Sequence, residues 1–192
     1  MNGKHARRWA LVLGPLLLVA SGVLVLRWLS VPDPRKLPEP FREQLASRVV
    51  DALEHDPTFR AEPGHPDLWP VCVASVFGVA PDSADTVDEV RTIYTQVDCK
   101  WLSEADVAKG NAGSVTDPLF GASMPIAVRL GPPVTYQTPE SGEGIYPDSI
   151  RRIFPKPLQA AAFSEHDPSM MNALDERIMH LMASSAPSPS HS

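Results

Sequence analysis

Residues 69–79 read WPVCVASVFGV, and residues 87–102 read VDEVRTIYTQVDCKWL. These two stretches decide the fold. In the first, Val71, Val73, Ser75 and Phe77 fall on one side, and Cys72, Ala74 and Val76 on the other. In the second, Ile93, Thr95, Val97, Cys99 and Trp101 share a side. Thr92, Tyr94, Gln96, Asp98 and Lys100 are mostly polar and are expected to face solvent. A period of two with many β-branched residues is the signature of a strand. The turn-rich segment PDSADTVDE (residues 81–89) closes the pair into a hairpin and lets Cys72 meet Cys99.

Outward from this hairpin, Met124, Ile126, Val128 and Leu130 alternate with Pro125, Ala127 and Arg129 and predict a third strand. Gly131-Pro132-Pro133 stops it, and Val134-Thr135-Tyr136 reads as a short fourth strand. Residues 103–121 hold no sustained apolar pattern and read as a loop. Upstream, residues 41–54 (FREQLASRVVDALE) place Phe41, Leu45, Val49 and Leu53 on one helical stripe. Residues 55–68 read as a loop. Downstream, residues 147–154 suggest one short helix ended by Pro155. Asp167 and Pro168 form a cap and a first turn for a terminal helix running to about Met182, with Met171, Leu174, Ile178 and Leu181 as its apolar stripe. The expected fold class is α+β: a small antiparallel sheet with flanking N- and C-terminal helices, spanning residues 41–182.

The amino terminus adds a further expectation. Residues 9–26 read WALVLGPLLLVASGVLVL, without a formal charge. With Arg27, Trp28 and Leu29 the run is long enough to cross a hydrocarbon core of about 30 Å as a helix. Lys4, Arg7 and Arg8 precede it with no acid nearby, which keeps that end cytoplasmic. Residues 1–29 therefore read as a basic stub and a transmembrane signal anchor, with the lipid bilayer as partner. Residues 30–40 hold four prolines and read as a stiff spacer. Residues 183–192 read as a disordered tail. The domain is then single-pass and extracytoplasmic. The rival reading is a cleaved signal peptide with a secreted chain starting near residue 22, since Val19-Ala20-Ser21-Gly22 supplies the small residues that cleavage needs.

The chain has 192 residues, too few for a full (β/α)8 barrel, which takes roughly 200 or more. Residues 30–192 hold all 23 acidic side chains but only 13 of the 17 basic ones, a net charge of −10. Such a domain lacks the Lys and Arg that nucleic acid demands, so no nucleic-acid partner is expected. Cys72 and Cys99 are the only cysteines. In an oxidising compartment they predict one disulfide. A catalytic thiol is the alternative.

No G-x-S-x-G, H-E-x-x-H, G-x-G-x-x-G or phosphate-loop signature occurs, and no cofactor is implied. Three weaker constellations remain. Asp82, Asp85, Asp88 and Glu89 offer oxygen ligands to a hard cation, or simply form a solvated acidic loop. His55, His65 and Asp67 offer a general base with an orienting carboxylate, the basis for an envelope hydrolase, or else polar surface near a helix end. Trp69 and Trp101 either pack across the cysteines or line a ligand face. The leading expectation is a noncatalytic membrane-anchored domain that binds a protein partner or supports an envelope complex. Its partner surface would be the C-terminal amphipathic helix, rich in Met170, Met171, Met179 and Met182.

The order Cys72…Cys99, then G-x-S-x-P-I-x-V (Gly121 to Val128), PESGEGIY (residues 139–146) and IRRIFP (residues 150–155) resembles small, uncharacterised extracytoplasmic proteins, membrane-anchored or secreted, of high-GC Gram-positive bacteria. The likeness covers residues 70–155. It implies an extracytoplasmic setting and carries no activity.

Overall fold

A computed structural model describes residues 37–61, 67–103, 121–164 and 167–185. Its centre is a four-stranded antiparallel sheet in chain order: β1 (Leu68–Ala80), β2 (Thr92–Ser103), β3 (Gly121–Arg129) and β4 (Thr135–Gln137). Cys72 lies directly opposite Cys99 in the β1–β2 register, and the two form a disulfide with a Cα–Cα separation of 4.1 Å. So short a separation belongs to a pair that does not exchange backbone hydrogen bonds. The register shifts once, between Val76 and Gly78, where Phe77 is the extra residue of a bulge.

Pro125 sits inside β3 opposite Gln96. The Leu130 amide donates to the Arg91 carbonyl at 2.9 Å, so the even-numbered residues of β3 are those bonded to β2. Pro125 is odd-numbered, and its missing N–H falls on the side away from β2. The β2–β3 ladder therefore loses no bond.

One long helix, α1 (Glu39–His55), covers the face that carries the disulfide. Leu45, Val49 and Leu53 recur every four residues on α1 and are all buried. They pack with Cys72, Val76, Ile93, Val97, Cys99, Ile126 and Val128. Pro40 suits the first turn, where its absent N–H has no partner to lose. The following stretch, expected to be loop, contains a short helix, α2 (Pro57–Ala61). Asp56 starts it, its Oδ1 accepting from the amides of Thr58 and Phe59 at 2.8 and 2.9 Å. Phe59 then closes the core against Trp101, whose indole N–H donates to the Arg60 carbonyl at 3.2 Å.

The opposite face corrects the sequence reading. Tyr94 and Asp98 are buried on it, not solvated, on the same side as buried Leu102. Two separate helical groups cover it. At one end, α3 (Ile145–Ile153), the 3-10 turn Lys156–Leu158 and α4 (Gln159–Ala162) pack Ile150, Phe154, Leu158 and Ala162 against Tyr94 and Ala127. Gly78 gives Leu158 its place here: a Cβ on it would lie 2.5 Å from Leu158 Cδ1 and push that side-chain end aside. At the other end, α5 (Pro168–Ser185) lays Leu174, Ile178 and Met182 on Val71 and Leu102. The Asp167 carboxylate accepts from the Ser169 amide at 2.9 Å and begins α5. The buried line of α5 is Met170, Leu174, Ile178 and Met182, while Met171 is half exposed. The helix also continues three residues past Met182. Trp69 packs on this α5 face, so the two tryptophans lie on opposite sides of the sheet and not together across the disulfide.

α1 and α5 meet around the outer edge of β1. The Glu54 carboxylate accepts from the Cys72 amide at 2.8 Å, and the Arg177 guanidinium donates to the Cys72 carbonyl. Arg177 and Glu54 pair with each other at 2.7 Å. The outward backbone groups of Cys72 are thus both occupied by one ion pair from two helices. This clasp closes an edge that would otherwise invite another strand.

The transmembrane expectation is corrected. Among the described residues no helix is long and apolar enough to cross a membrane. Residues 9–29, on which that expectation fell, lie outside the described residues, as do residues 30–36 of the expected spacer and 186–192 of the expected tail. The described residues therefore form an α+β fold with no membrane-spanning helix among them. The bilayer partner, the single-pass location and the anchored function are carried no further.

Candidate functional site

Three segments far apart in the chain converge where β2 begins and β3 ends. Arg48 comes from α1, one residue before buried Val49 and so at the margin of the helix's buried stripe. Val87, Asp88 and Val90 come from the 3-10 turn that follows β1 and from the residue closing it. Leu130, Gly131, Pro132 and Val134 come from the turn between β3 and β4. Together they line an open cleft of about 440 Å³. That volume lies within the usual range for small-ligand sites, about 300–1,000 Å³.

The walls are held by specific contacts. The Arg91 amide donates to Ala80 O at 2.8 Å and its carbonyl accepts from Leu130 at 2.9 Å, which ties the 3-10 turn to the β3–β4 turn. The Glu89 carboxylate accepts from the Asp85 amide at 2.9 Å, and the Ala84 amide donates to Pro81 O at 3.2 Å. Ala84 and Val90 are buried in the disulfide-side core. The acidic segment is therefore a braced loop and not a free one.

This bracing separates the four acids by role. Glu89 supports the loop, Asp88 lines the cleft, and Asp82 and Asp85 are exposed. Among the described residues no group of three or more His, Cys, Asp or Glu is placed to hold a metal ion. Arg48 and Asp88 are both exposed, and among the described residues neither forms an ion pair, with the other or with a third group. The cleft thus carries one cation and one anion over an apolar floor of Val87, Val90, Leu130 and Val134.

The histidine constellation falls elsewhere. His55 Nδ1 lies 2.8 Å from the Asp51 carbonyl oxygen and 3.3 Å from its carboxylate, on the exposed end of α1. Asp67 is exposed just before β1, and His65 lies outside the described residues. Neither His55 nor Asp67 lines the cleft. Of the four methionines expected to form a partner surface on the terminal helix, Met170 and Met182 are buried in the domain's own packing.

Arg48 carried no signal in the sequence, because a lone arginine on a helix says nothing about what packs beside it. Val87, Val90 and Leu130 did carry one: they are apolar residues at turn positions, which calls for a surface they rest against.

No protein-family model matches the chain, and no curated protein or solved structure shows significant similarity to it.

Proposed function

We propose that the chain acts as a secreted, disulfide-bonded binding factor without catalysis, and that the Arg48–Asp88 cleft is its contact site. The observation that carries this reading is the pairing of two uncommitted opposite charges with an apolar floor in a cleft of ligand size. Such sites orient a ligand by a few polar groups and hold it by apolar burial. The lining residues include no Ser, Thr, Cys, His, Lys or Tyr, so acid–base or nucleophilic work would fall to Asp88 alone. The Cys72–Cys99 disulfide supports an oxidising compartment.

The test is amide shift mapping of the full chain against a panel of small charged apolar compounds. Shifts confined to residues 48, 87–90 and 130–134, and lost in Val134→Asp at unchanged melting temperature, are expected. Saturable turnover of an ester, peptide or glycoside reporter that Asp88→Asn abolishes would overturn the noncatalytic reading. Secretion is checked by intact mass of chain recovered from the medium. A mature terminus near residue 22 is expected, and a chain held in the membrane fraction would refute secretion.

A further inference from the structure

We infer that α5 is a redox-linked latch: its docking on one face of the sheet is coupled, through the Glu54–Arg177 ion pair, to the Cys72–Cys99 bond on the other.

Cys72 and Cys99 are both buried, so a dissolved thiol reaches their sulfurs only in an opened form of the chain. α1 is the cover. Leu53, in its last turn, is buried in the same cluster as both cysteines. Glu54 is the next residue. Its carboxylate accepts from the Cys72 amide at 2.8 Å. Arg177 of α5 donates to the same carboxylate at 2.9 Å and to the Cys72 carbonyl. Among the described residues, no other hydrogen bond or ion pair joins α1 to α5. The Lys100–Asp175 pair holds α5 to β2 and touches neither α1 nor Cys72.

The coupling runs through charge. The Glu54 side chain is only 18% exposed, and Arg177 neutralises it there. When α5 lifts from Val71 and Leu102, the guanidinium leaves with it. A largely buried carboxylate then keeps one amide donor. A charge stranded in this way is strongly unfavourable and is driven toward water. Glu54 reaches water when the last turn of α1 swings outward, and that motion draws Leu53 off the disulfide. Linkage makes the effect reciprocal. Breaking the bond loosens β1 at Cys72, where Arg177 is anchored, and so weakens the docking of α5.

The experiment is reduction of the folded full chain, kept dilute, by excess dithiothreitol, with free thiols counted by mass after alkylation. The dithiol supplies two electrons and two protons: the Sγ–Sγ bond becomes two cysteine thiols and the reagent closes to its cyclic disulfide. Arg177→Met is expected to speed reduction about tenfold. Arg177→Lys keeps the charge without the planar fork and should speed it about threefold, which also serves if the Met variant fails to fold. Gly78→Ala disturbs the α3–α4 end instead and should leave the rate within about twofold of the parent. In a Glu54→Gln background no charge is stranded, so Arg177→Met should add little. The reciprocal readout is hydrogen exchange, which Cys72→Ser/Cys99→Ser should raise in α5 more than in α3 and α4. Unchanged reduction rates in both Arg177 variants would overturn the latch. So would equal acceleration by Arg177→Met and Gly78→Ala, which would show that global unfolding alone exposes the bond.

Discussion

The two faces of the sheet solve the same problem differently. The disulfide face is covered by one long helix whose buried residues recur every four positions, and its strand residues are almost all apolar. The opposite face is covered by two helical groups joined to different ends of the sheet, and its strand residues include Gln96, Asp98 and Lys100. The first face is held by apolar contact, with the Cys72–Cys99 bond inside it. The second needs a specific polar partner where an ionisable side chain is covered. Lys100 shows this: it is only 14% exposed, and its ammonium pairs with Asp175 of α5 at 2.6 Å. A polar residue on a strand therefore does not report solvent. It reports either solvent or a partner supplied from elsewhere in the chain.

The sharpest break of this comparison is on the first face. Leu45→Ala should destabilise by about 3–4 kcal/mol, since Leu45 is fully buried and the site has neighbours on all sides. Denaturant unfolding measures it. The Cys72→Ser/Cys99→Ser double variant should lose about 3 kcal/mol from the opened loop of 27 positions. An unchanged midpoint would show that the hairpin register is held without the bond.

The clasp between the faces comes next. Arg177→Met removes the donor to Cys72 O and leaves Glu54 without its cation, for an expected loss of about 1–2 kcal/mol. Light scattering should also show association through the opened edge of β1.

Gly78→Ala addresses the second face alone. It forces Leu158 aside at a cost of about 1 kcal/mol, because the clashing atoms are the mobile end of a side chain. Hydrogen exchange should rise in α3 and α4 and stay unchanged in α1.

The smallest effect is alkaline. Burial raises the pKa of Tyr94 above its usual value of 10.0, with Arg129 opposing, and burial also raises Tyr146. A folded state that holds its phenolic protons more tightly than the unfolded chain is fully stabilised below pH 10 and loses that stability as pH climbs through the folded values. Both tyrosines pack in the α3–α4 group. The loss should thus appear there first, read by exchange at pH 9 and pH 11.

The first face was legible in the sequence because its signal is local. Ile93, Val97 and Cys99 alternate, Leu45, Val49 and Leu53 recur, and neither pattern needs knowledge of the other. The second face was misread because Asp175 lies 75 positions from Lys100. The terminal helix shows the same limit in finer form. Met170 and Met171 are adjacent and chemically identical, and only docking decides which is buried. The cleft was least legible of all, since Arg48, Asp88 and Val134 acquire a joint meaning only when three distant segments meet. The anchor expectation had local grounds in composition, but no helix of the described domain provides it.

The Cys72–Cys99 bond lies wholly under α1: Cys72 has no exposed surface and Cys99 has 2%. An oxidant cannot reach either sulfur once that helix is seated. In the folded chain the seated α1 thus shields the bond from exchange with outside thiols.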